Sequence, residues 1–255
     1  MEPSIKSYLT PNQHSYWQWL RSELSERMAQ NLPYIHLTPR QILLLGGHQK
    51  GTEQFFLKTY PDVHLWTDAN NRQGLLNQIN PFRQNRVHSL VSSNKKMPRE
   101  LDLIWAGPLT LGLNQYADFF QESGSFIKNQ GLMMFNYLGP DTAKEWRDVR
   151  QHAGWIGPDM HDLGDILLRS GFGDPVMNME YITLEYDSYD LISKDLQGMG
   201  LSYPSDGVAQ KRNSSAKLQL TLEVVYGHAW KVEGRKPKIA TISPKDIGKS
   251  YKKQG

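Results

Sequence analysis

The stretch QILLLGGHQKG, residues 41–51, decides the fold of this chain. Residues 42–45 form an apolar run that is typical of a strand buried on both faces of a sheet. Two glycines follow at once, and glycines at a strand-to-helix turn let the backbone approach a ligand beside the free N–H groups of the next helix. The stretch therefore predicts a buried strand at residues 41–46 and a candidate ligand turn at Gly46 and Gly47. Such turns are also common without a ligand.

Strands and helices alternate regularly around this stretch. An amphipathic helix is predicted at residues 13–31, because apolar side chains recur there at helical spacing. The further predicted strands cover residues 63–67, 86–91, 101–106 and 131–137. The predicted helices between them cover residues 51–60, 70–79 and 116–129. This alternation is typical of a parallel sheet with helices on both faces.

The pattern changes after Gly139. Two helices are predicted there, at residues 141–152 and 160–170. They are followed by a strand at 176–186, a helix at 188–198, a long loop at 198–216 and a late strand at 218–226. A late antiparallel pair is compatible with a mixed edge on a doubly wound sheet.

The composition limits the function classes. A chain of 255 residues, 38% hydrophobic and 22% charged, fits one α/β domain. The absence of cysteine excludes disulfides, thiolate metal sites and a cysteine nucleophile. The apolar run at 42–45 is far too short to span a membrane, and residues 1–20 lack the pattern of a secretory signal. We therefore expect a cytoplasmic protein with no membrane partner.

The positive charge is concentrated near the C-terminus. Between Lys231 and Lys253 there are eight basic residues and two acidic ones, a balance of eight minus two, or +6. Such a segment can be a solvated tail, or it can attract an acidic partner. Nucleic-acid binding would depend on this tail alone, so no nucleic-acid partner is predicted.

Asp68 and the acidic residues around His161 each have more than one interpretation. Asp68 ends the second predicted strand. A carboxylate there can accept hydrogen bonds from both ribose hydroxyls of a nucleoside, or it can cap the next helix. His161 lies close to Asp159, Asp162 and Asp165, but Asp159 fits a helix N-cap better than a metal ligand. No metal site is predicted.

Four segments in the second half carry a family resemblance. They are GPDT (139–142), PDMHDLGD (158–165), GFGDPV (171–176) and EVVYGHAW (223–230). In these segments the chain resembles the malonyl-[acyl-carrier protein] O-methyltransferases of biotin synthesis, from about residue 13 to residue 231. The resemblance implies an α/β, doubly wound, Rossmann-like methyltransferase sheet. The sheet would have seven mostly parallel strands, an antiparallel last strand and a helical lid.

The resemblance also implies a domain organisation and an activity. Residues 1–231 would form one methyltransferase-like domain, with lid helices at about 1–32, 140–172 and 188–216, and residues 232–255 would form the basic tail. The donor would be S-adenosylmethionine. The acceptor would be the free carboxylate of a malonyl thioester on acyl carrier protein. Because a carboxylate of pKa about 4 is already ionised at neutral pH, no general base is needed and no catalytic residue is singled out.

Site residues follow from the same resemblance. Its donor-binding positions are Gly46, Gly47, Asp68, Ala69, Ser93 and Ala106. Tyr8 lies near the sequence position at which the family has an N-terminal tyrosine beside the acceptor, so the resemblance suggests it as a substrate-binding residue.

The chain departs from the family pattern in the donor half. Leu44 replaces a carboxylate, and His48 and Lys50 replace glycines. Ser93 replaces an aspartate and Gly112 a tryptophan. Two hypotheses therefore stay open: an active methyltransferase with an altered donor pocket, or a non-catalytic paralogue that binds acyl carrier protein or a partner subunit.

Overall fold

A seven-stranded sheet forms the centre of the molecule. The computed structural model describes residues 16–46, 50–67, 86–89, 99–109, 111, 113–146, 157–201 and 218–233. The strands are β1 (Gln41–Leu45), β2 (His64–Thr67), β3 (Val87–Ser89), β4 (Leu101–Leu109), β5 (Ile127–Leu138), β6 (Phe172–Tyr186) and β7 (Leu218–Lys231). Their order in the sheet is β3-β2-β1-β4-β5-β7-β6.

The strand directions confirm the predicted fold class. Strands β1 to β5 pair in parallel, and β7 lies antiparallel to both β5 and β6. The order reverses at β1, from which the chain moves outward to β3 and then returns to β4 on the other side. In open α/β sheets, ligands bind at the carboxyl ends of the strands beside such a reversal. The ends of β1 and β4 are therefore where a site is expected.

Five helices cover the two faces of the sheet within the described residues. They are α1 (Tyr16–Ala29), α2 (Lys50–Thr59), α3 (Leu113–Gly124), α4 (Met160–Arg169) and α5 (Tyr189–Gly198). Helices α1, α2 and α5 pack in one apolar cluster, and α3 and α4 pack in a second cluster. None of these helices has the length and apolar character that a membrane span requires.

Helix α1 is held by apolar packing and by a buried carboxylate. Its predicted apolar side chains, Leu20 and Leu24 among them, are buried against the sheet. At its N-terminal end, the N–H of Trp17 donates to Asp195 of α5 over 3.1 Å. The second carboxylate oxygen of Asp195 accepts from the Tyr186 hydroxyl at 2.8 Å. Asp195 therefore joins α1, α5 and the end of β6.

A second buried carboxylate, Asp102 on β4, fixes the start of β1. One oxygen of Asp102 accepts from the N–H groups of Arg40 and Gln41, at 2.8 Å each, and the other pairs with Lys128. Burial works to raise the pKa of this carboxyl. The hydrogen bonds from Lys128, Gln41 and Arg40 outweigh burial, so the pKa lies below its usual value.

One predicted helix extended too far. The helix expected at residues 116–129 is α3, which ends at Gly124 and is followed by β5 at Ile127. The backbone turns at Ser125, whose N–H donates to the carbonyl of Glu122 at 3.0 Å. The next segment is extended because the N–H of Leu101 donates to the carbonyl of Phe126 over 2.8 Å. Pairing with β4 thus overrides the local helical pattern.

The last two strands are longer than predicted. Strand β6 begins before Pro175, at a point where a strand was not expected. The ladder with β7 shifts register between Gly173 and Val176, and this irregularity accommodates a proline that cannot donate to the ladder.

In the predicted helix at 141–152, the described part contains only a short 3-10 turn, Lys144–Trp146. The predicted helix at 70–79 lies outside the described residues.

Candidate functional site

Two glycines meet where the carboxyl ends of β1 and β4 lie side by side. Leu45 pairs with Ala106, and each is followed by a glycine. Gly46 has φ +87° and Gly107 has φ +143°, backbone conformations that favour glycine. A Cβ atom on Gly46 would lie 2.9 Å from the carbonyl oxygen of Gly107. The two strand ends can approach this closely only because side chains are absent.

An arginine from α1 reaches the same turn. The guanidinium of Arg21 donates a hydrogen bond to the carbonyl oxygen of Gly46. One residue further along α1, Ser22 lies 3.9 Å from the position of a Cβ atom on Gly51, in the first turn of α2. Sequence analysis did not select Arg21, because helical periodicity gives no reason to separate it from the other charged residues of α1. Its role depends on how α1 crosses the sheet.

A buried amide lies behind the glycine pair. Asn136 on β5 is 1% exposed, and its Nδ2 donates to the sulfur of Met28 at 3.7 Å. Its Oδ1 is buried and has no hydrogen-bond partner among the described residues. A Cβ atom on Gly107 would lie 2.7 Å from this oxygen. The Asn136 side chain therefore supports the end of β4 from within the sheet.

The structure brings together only part of the predicted donor set. Gly46 and Ala106 lie next to each other at the paired strand ends. Gly47, Asp68, Ala69, Ser93 and Tyr8 lie outside the described residues. Leu44, which stands in the place of a family carboxylate, is fully buried in the cluster formed by α1, α2 and α5.

On the other side of the site, Glu223 of β7 holds the turn that follows β5. The Asp141 N–H donates to Glu223 Oε2 at 2.6 Å, and the Gly139 N–H donates to the Glu223 carbonyl at 2.8 Å. The hydroxyl of Thr142 donates to the same carbonyl at 3.2 Å. A Cβ atom on Gly139 would lie 2.7 Å from Glu223 Oε1. The GPDT segment is thus fixed to β7 through backbone and carboxylate together.

Two buried tyrosines lie near the ends of β4 and β5. The Tyr116 hydroxyl points to the carbonyl of Leu109 at 3.5 Å, and the rings of Tyr116 and Tyr137 are 5.8 Å apart. Burial raises the pKa of both phenols well above the usual value. Both therefore stay protonated at neutral pH, and neither can act as a general base.

Among the described residues, no group of three or more His, Asp and Glu side chains could hold a metal ion.

The solved structures most useful for comparison share the fold at low sequence identity. The YcgJ protein from Bacillus subtilis matches with a TM-score of 0.55 and 10% identity, over 82% of this chain and 99% of that one. A protein from Bacillus halodurans C-125, provisionally named a methyltransferase, matches with a TM-score of 0.55 and 12% identity, over 81% and 99% of the two chains. The strand order, the antiparallel β7 and the paired strand ends define the class I methyltransferase fold.

Sequence relatives identify the family within this class. A malonyl-[acyl-carrier protein] O-methyltransferase from Nitrosospira multiformis is 32% identical over 271 residues, which cover 90% of this chain and 88% of the relative. One from Gallionella capsiferriformans is 32% identical over 246 residues, covering 83% and 84%. No family model matches the chain. The chain belongs to the malonyl-[acyl-carrier protein] O-methyltransferase family, as its sequence motifs predicted.

Proposed function

We propose that this protein transfers a methyl group from S-adenosylmethionine to the free carboxylate of a malonyl thioester on acyl carrier protein, a step of biotin synthesis. The observation that carries the proposal is the 32% identity to a family member over 90% of the chain. The family of these relatives is named for this substrate, and the described fold is the one that such methyl transfer uses.

The glycine pair is the part of the structure that fits the donor. Gly46 and Gly107 bring β1 and β4 close together near their carboxyl ends, since a Cβ atom at either position would collide with neighbouring protein atoms. Open parallel sheets bind their ligands at adjoining strand ends of this kind, beside a reversal in the strand order. When bound, S-adenosylmethionine supplies an electrophilic methyl group on its sulfonium.

The protein contributes alignment rather than acid–base chemistry. A malonyl carboxylate is ionised at neutral pH, and the protonated Tyr116 and Tyr137 are not required to remove a proton. Holding two reactants in line and excluding water supply the acceleration. The rigid GPDT turn, fixed by Glu223, lies next to the end of β5 and is suited to hold the acceptor side of the site.

Acyl carrier protein is the proposed partner, and the basic tail is proposed to attract it. Acyl carrier proteins are generally acidic. From Arg235 to Lys253 the tail has seven basic residues and one acidic residue, a balance of seven minus one, or +6. Long-range attraction of this kind increases the association rate.

The test is methyl transfer to the purified carrier. The protein is incubated with S-adenosylmethionine and malonyl-acyl carrier protein, and the carrier is analysed by intact mass spectrometry. A mass increase of one CH₂ unit is expected with the malonyl carrier. No increase is expected with acetyl-acyl carrier protein, which lacks the free carboxylate. If the protein binds the carrier but transfers no methyl group at any donor concentration, the proposal is wrong and the non-catalytic paralogue is favoured.

A further inference from the structure

A row of polar side chains crosses the sheet from the glycine pair to the outer strand. Asn136 on β5 lies against Gly107 and directly opposite Tyr226 on β7. Tyr226 in turn lies directly opposite Asn178 on β6. Opposite residues of antiparallel strands share one face of the sheet. Three strand spacings of about 4.8 Å place Asn178 roughly 14 Å from Gly107. The row therefore joins the candidate site to the edge of the sheet.

Asn136 is the member of this row that core packing does not explain. Its neighbours on the same face of β5, Met134 and Leu138, are buried apolar side chains. Asn136 is equally buried, yet its Oδ1 has no hydrogen-bond partner among the described residues. A polar atom that is buried without a partner destabilises a fold. Such departures from core packing are expected at functional positions.

The outer end of the row borders a cavity. The cavity has a volume of about 300 Å³ and lies between the second half of α1 and strands β6 and β7. Three of its lining side chains are amides, those of Gln30, Asn31 and Asn178. The Asn178 amide is held in place, because its Oδ1 accepts from the Met179 N–H at 2.9 Å. Amide side chains both donate and accept hydrogen bonds, so the cavity suits a ligand that does the same.

The charged side chains of the cavity are paired with one another. Arg27 pairs with Glu23 at 2.8 Å and with Glu180 at 2.6 Å. Glu180 also accepts from the Tyr226 hydroxyl at 2.7 Å. One guanidinium and two carboxylates give a balance of one minus two, or −1. An anion is therefore disfavoured in the cavity, and a cation finds both carboxylates already engaged. The amides are left to bind a neutral ligand.

We propose that this cavity binds the neutral, amide-bearing part of the phosphopantetheine arm of acyl carrier protein, an inference that rests on the proposed function. The arm has a phosphate at its carrier end and the malonyl group at its other end, with two amides between them. Its charged ends therefore lie outside the cavity. Its amides pair with the side chains of Gln30, Asn31 and Asn178.

The place of the cavity suits an acceptor. The proposed donor turn follows β1, whereas the cavity lies on the opposite side of Gly107, beside β6 and β7. Methyl transfer needs donor and acceptor in line on opposite sides of the transferred group. The extended arm is long enough to cover the roughly 14 Å between Asn178 and Gly107. Because Met28 of α1 contacts Asn136 at the inner end of the row, the arm reaches Gly107 with a shift of this end of α1.

The experiment isolates the arm by comparing two forms of the carrier. Holo-acyl carrier protein has the arm with a free thiol, and the apo form lacks the arm. Both are titrated calorimetrically into the full-length wild-type protein and its Asn178→Leu variant. Wild type should bind the holo form roughly tenfold more tightly, the effect of one or two hydrogen bonds. Asn178→Leu should remove most of this preference and leave the affinity for the apo form unchanged.

Asn129→Leu is the matched control, because Asn129 is an exposed asparagine near the start of β5 and does not line the cavity. It should leave both affinities unchanged. Gln30→Leu alters the cavity from the α1 side and should act like Asn178→Leu. The inference is overturned if wild type binds both forms of the carrier equally, or if Asn178→Leu keeps the full preference of wild type.

Methyl transfer is measured on the same preparations, so that this inference and the proposed function can fail separately. If wild type methylates the malonyl carrier but has no preference for the holo form, the inference alone is wrong. If wild type prefers the holo form through Asn178 but transfers no methyl group, the proposed activity is wrong and the cavity remains a carrier-binding site. If wild type neither binds the carrier nor methylates it, both are wrong.

Discussion

The side-chain amide of Asn136 lies against the backbone of Gly107. A Cβ atom on Gly107 would be 2.7 Å from Asn136 Oδ1 and 2.9 Å from both the Cγ and the carbonyl oxygen of Asn136. Neither the side chain nor the backbone of Asn136 can move aside easily, because this residue is 1% exposed and belongs to the ladder between β5 and β7. The geometry of the site therefore depends on a glycine near the end of β4.

Gly107→Ala is expected to lower the free energy of unfolding by about 2–4 kcal/mol, through overpacking and an unfavourable φ. Urea denaturation followed by circular dichroism measures the change. Gly164→Ala is the matched control, because Gly164 lies in helix α4 and no atom is within 4 Å of the added methyl group. That control should raise the stability by about 0.5–1 kcal/mol. Equal stabilities for the two variants would contradict the prediction.

The sheet could be predicted from sequence because its signals are local. The apolar run that includes Leu43 marks β1, and the alternation of strands and helices marks the parallel order. The contact between Arg21 and Gly46 could not be predicted, because it depends on the angle at which α1 crosses the sheet. The contact between Asn136 and Gly107 could not be predicted either, because it depends on the register between β4 and β5, which neither segment determines alone.

Leu44 gives a prediction about the missing family carboxylate. The side chain is fully buried and packs in the same cluster as Ile42, Phe56 and Trp105. Leu44→Asp should lower the stability by about 3 kcal/mol or more, because it removes apolar burial and places a polar group without a partner in the core. Leu44→Met, a change that conserves volume, should cost less than about 1.5 kcal/mol. Thermal and urea denaturation of both variants test this, and a stable Leu44→Asp protein would show that the acid finds a partner.

Asp102 predicts a dependence of stability on acid pH. An unfolded aspartate has a pKa of about 3.9. The hydrogen bonds from Lys128, Gln41 and Arg40 overcome the effect of burial and lower the pKa of Asp102 in the folded protein. A lowered folded-state pKa stabilises the fold fully above the unfolded pKa, and the stabilisation is lost as the pH falls through the folded pKa.

Asp102→Asn should therefore be less stable than wild type by about 1–3 kcal/mol at neutral pH. The difference should be constant down to pH about 5 and should shrink below pH about 4. Urea midpoints measured from neutral to acid pH give this curve. Asp62→Asn, at an exposed turn, controls for the removal of one negative charge. A difference between wild type and Asp102→Asn that grows in acid would contradict the assignment.

The basic tail gives a prediction about partner binding. The contacts of Lys231 and Val232 show which C-terminal residues belong to the fold and must be kept in a truncated variant. Lys231 belongs to the fold, since its Nζ lies 5.4 Å from the centre of the Phe172 ring and the next residue, Val232, donates to the carbonyl of Gly171 at 3.3 Å. Removal of residues 234–255 should therefore leave the melting temperature unchanged while it removes the excess positive charge.

The truncated protein should bind malonyl-acyl carrier protein roughly tenfold more slowly at low salt, because electrostatic steering is lost. The Debye length falls from about 30 Å at about 0.01 M salt to about 3 Å at about 1 M, so the two proteins should converge at high salt. Stopped-flow association rates over this range measure the effect. A full-length variant with glutamine at the seven basic tail positions separates charge from chain length. If that variant associates as fast as wild type at low salt, the tail does not steer the carrier.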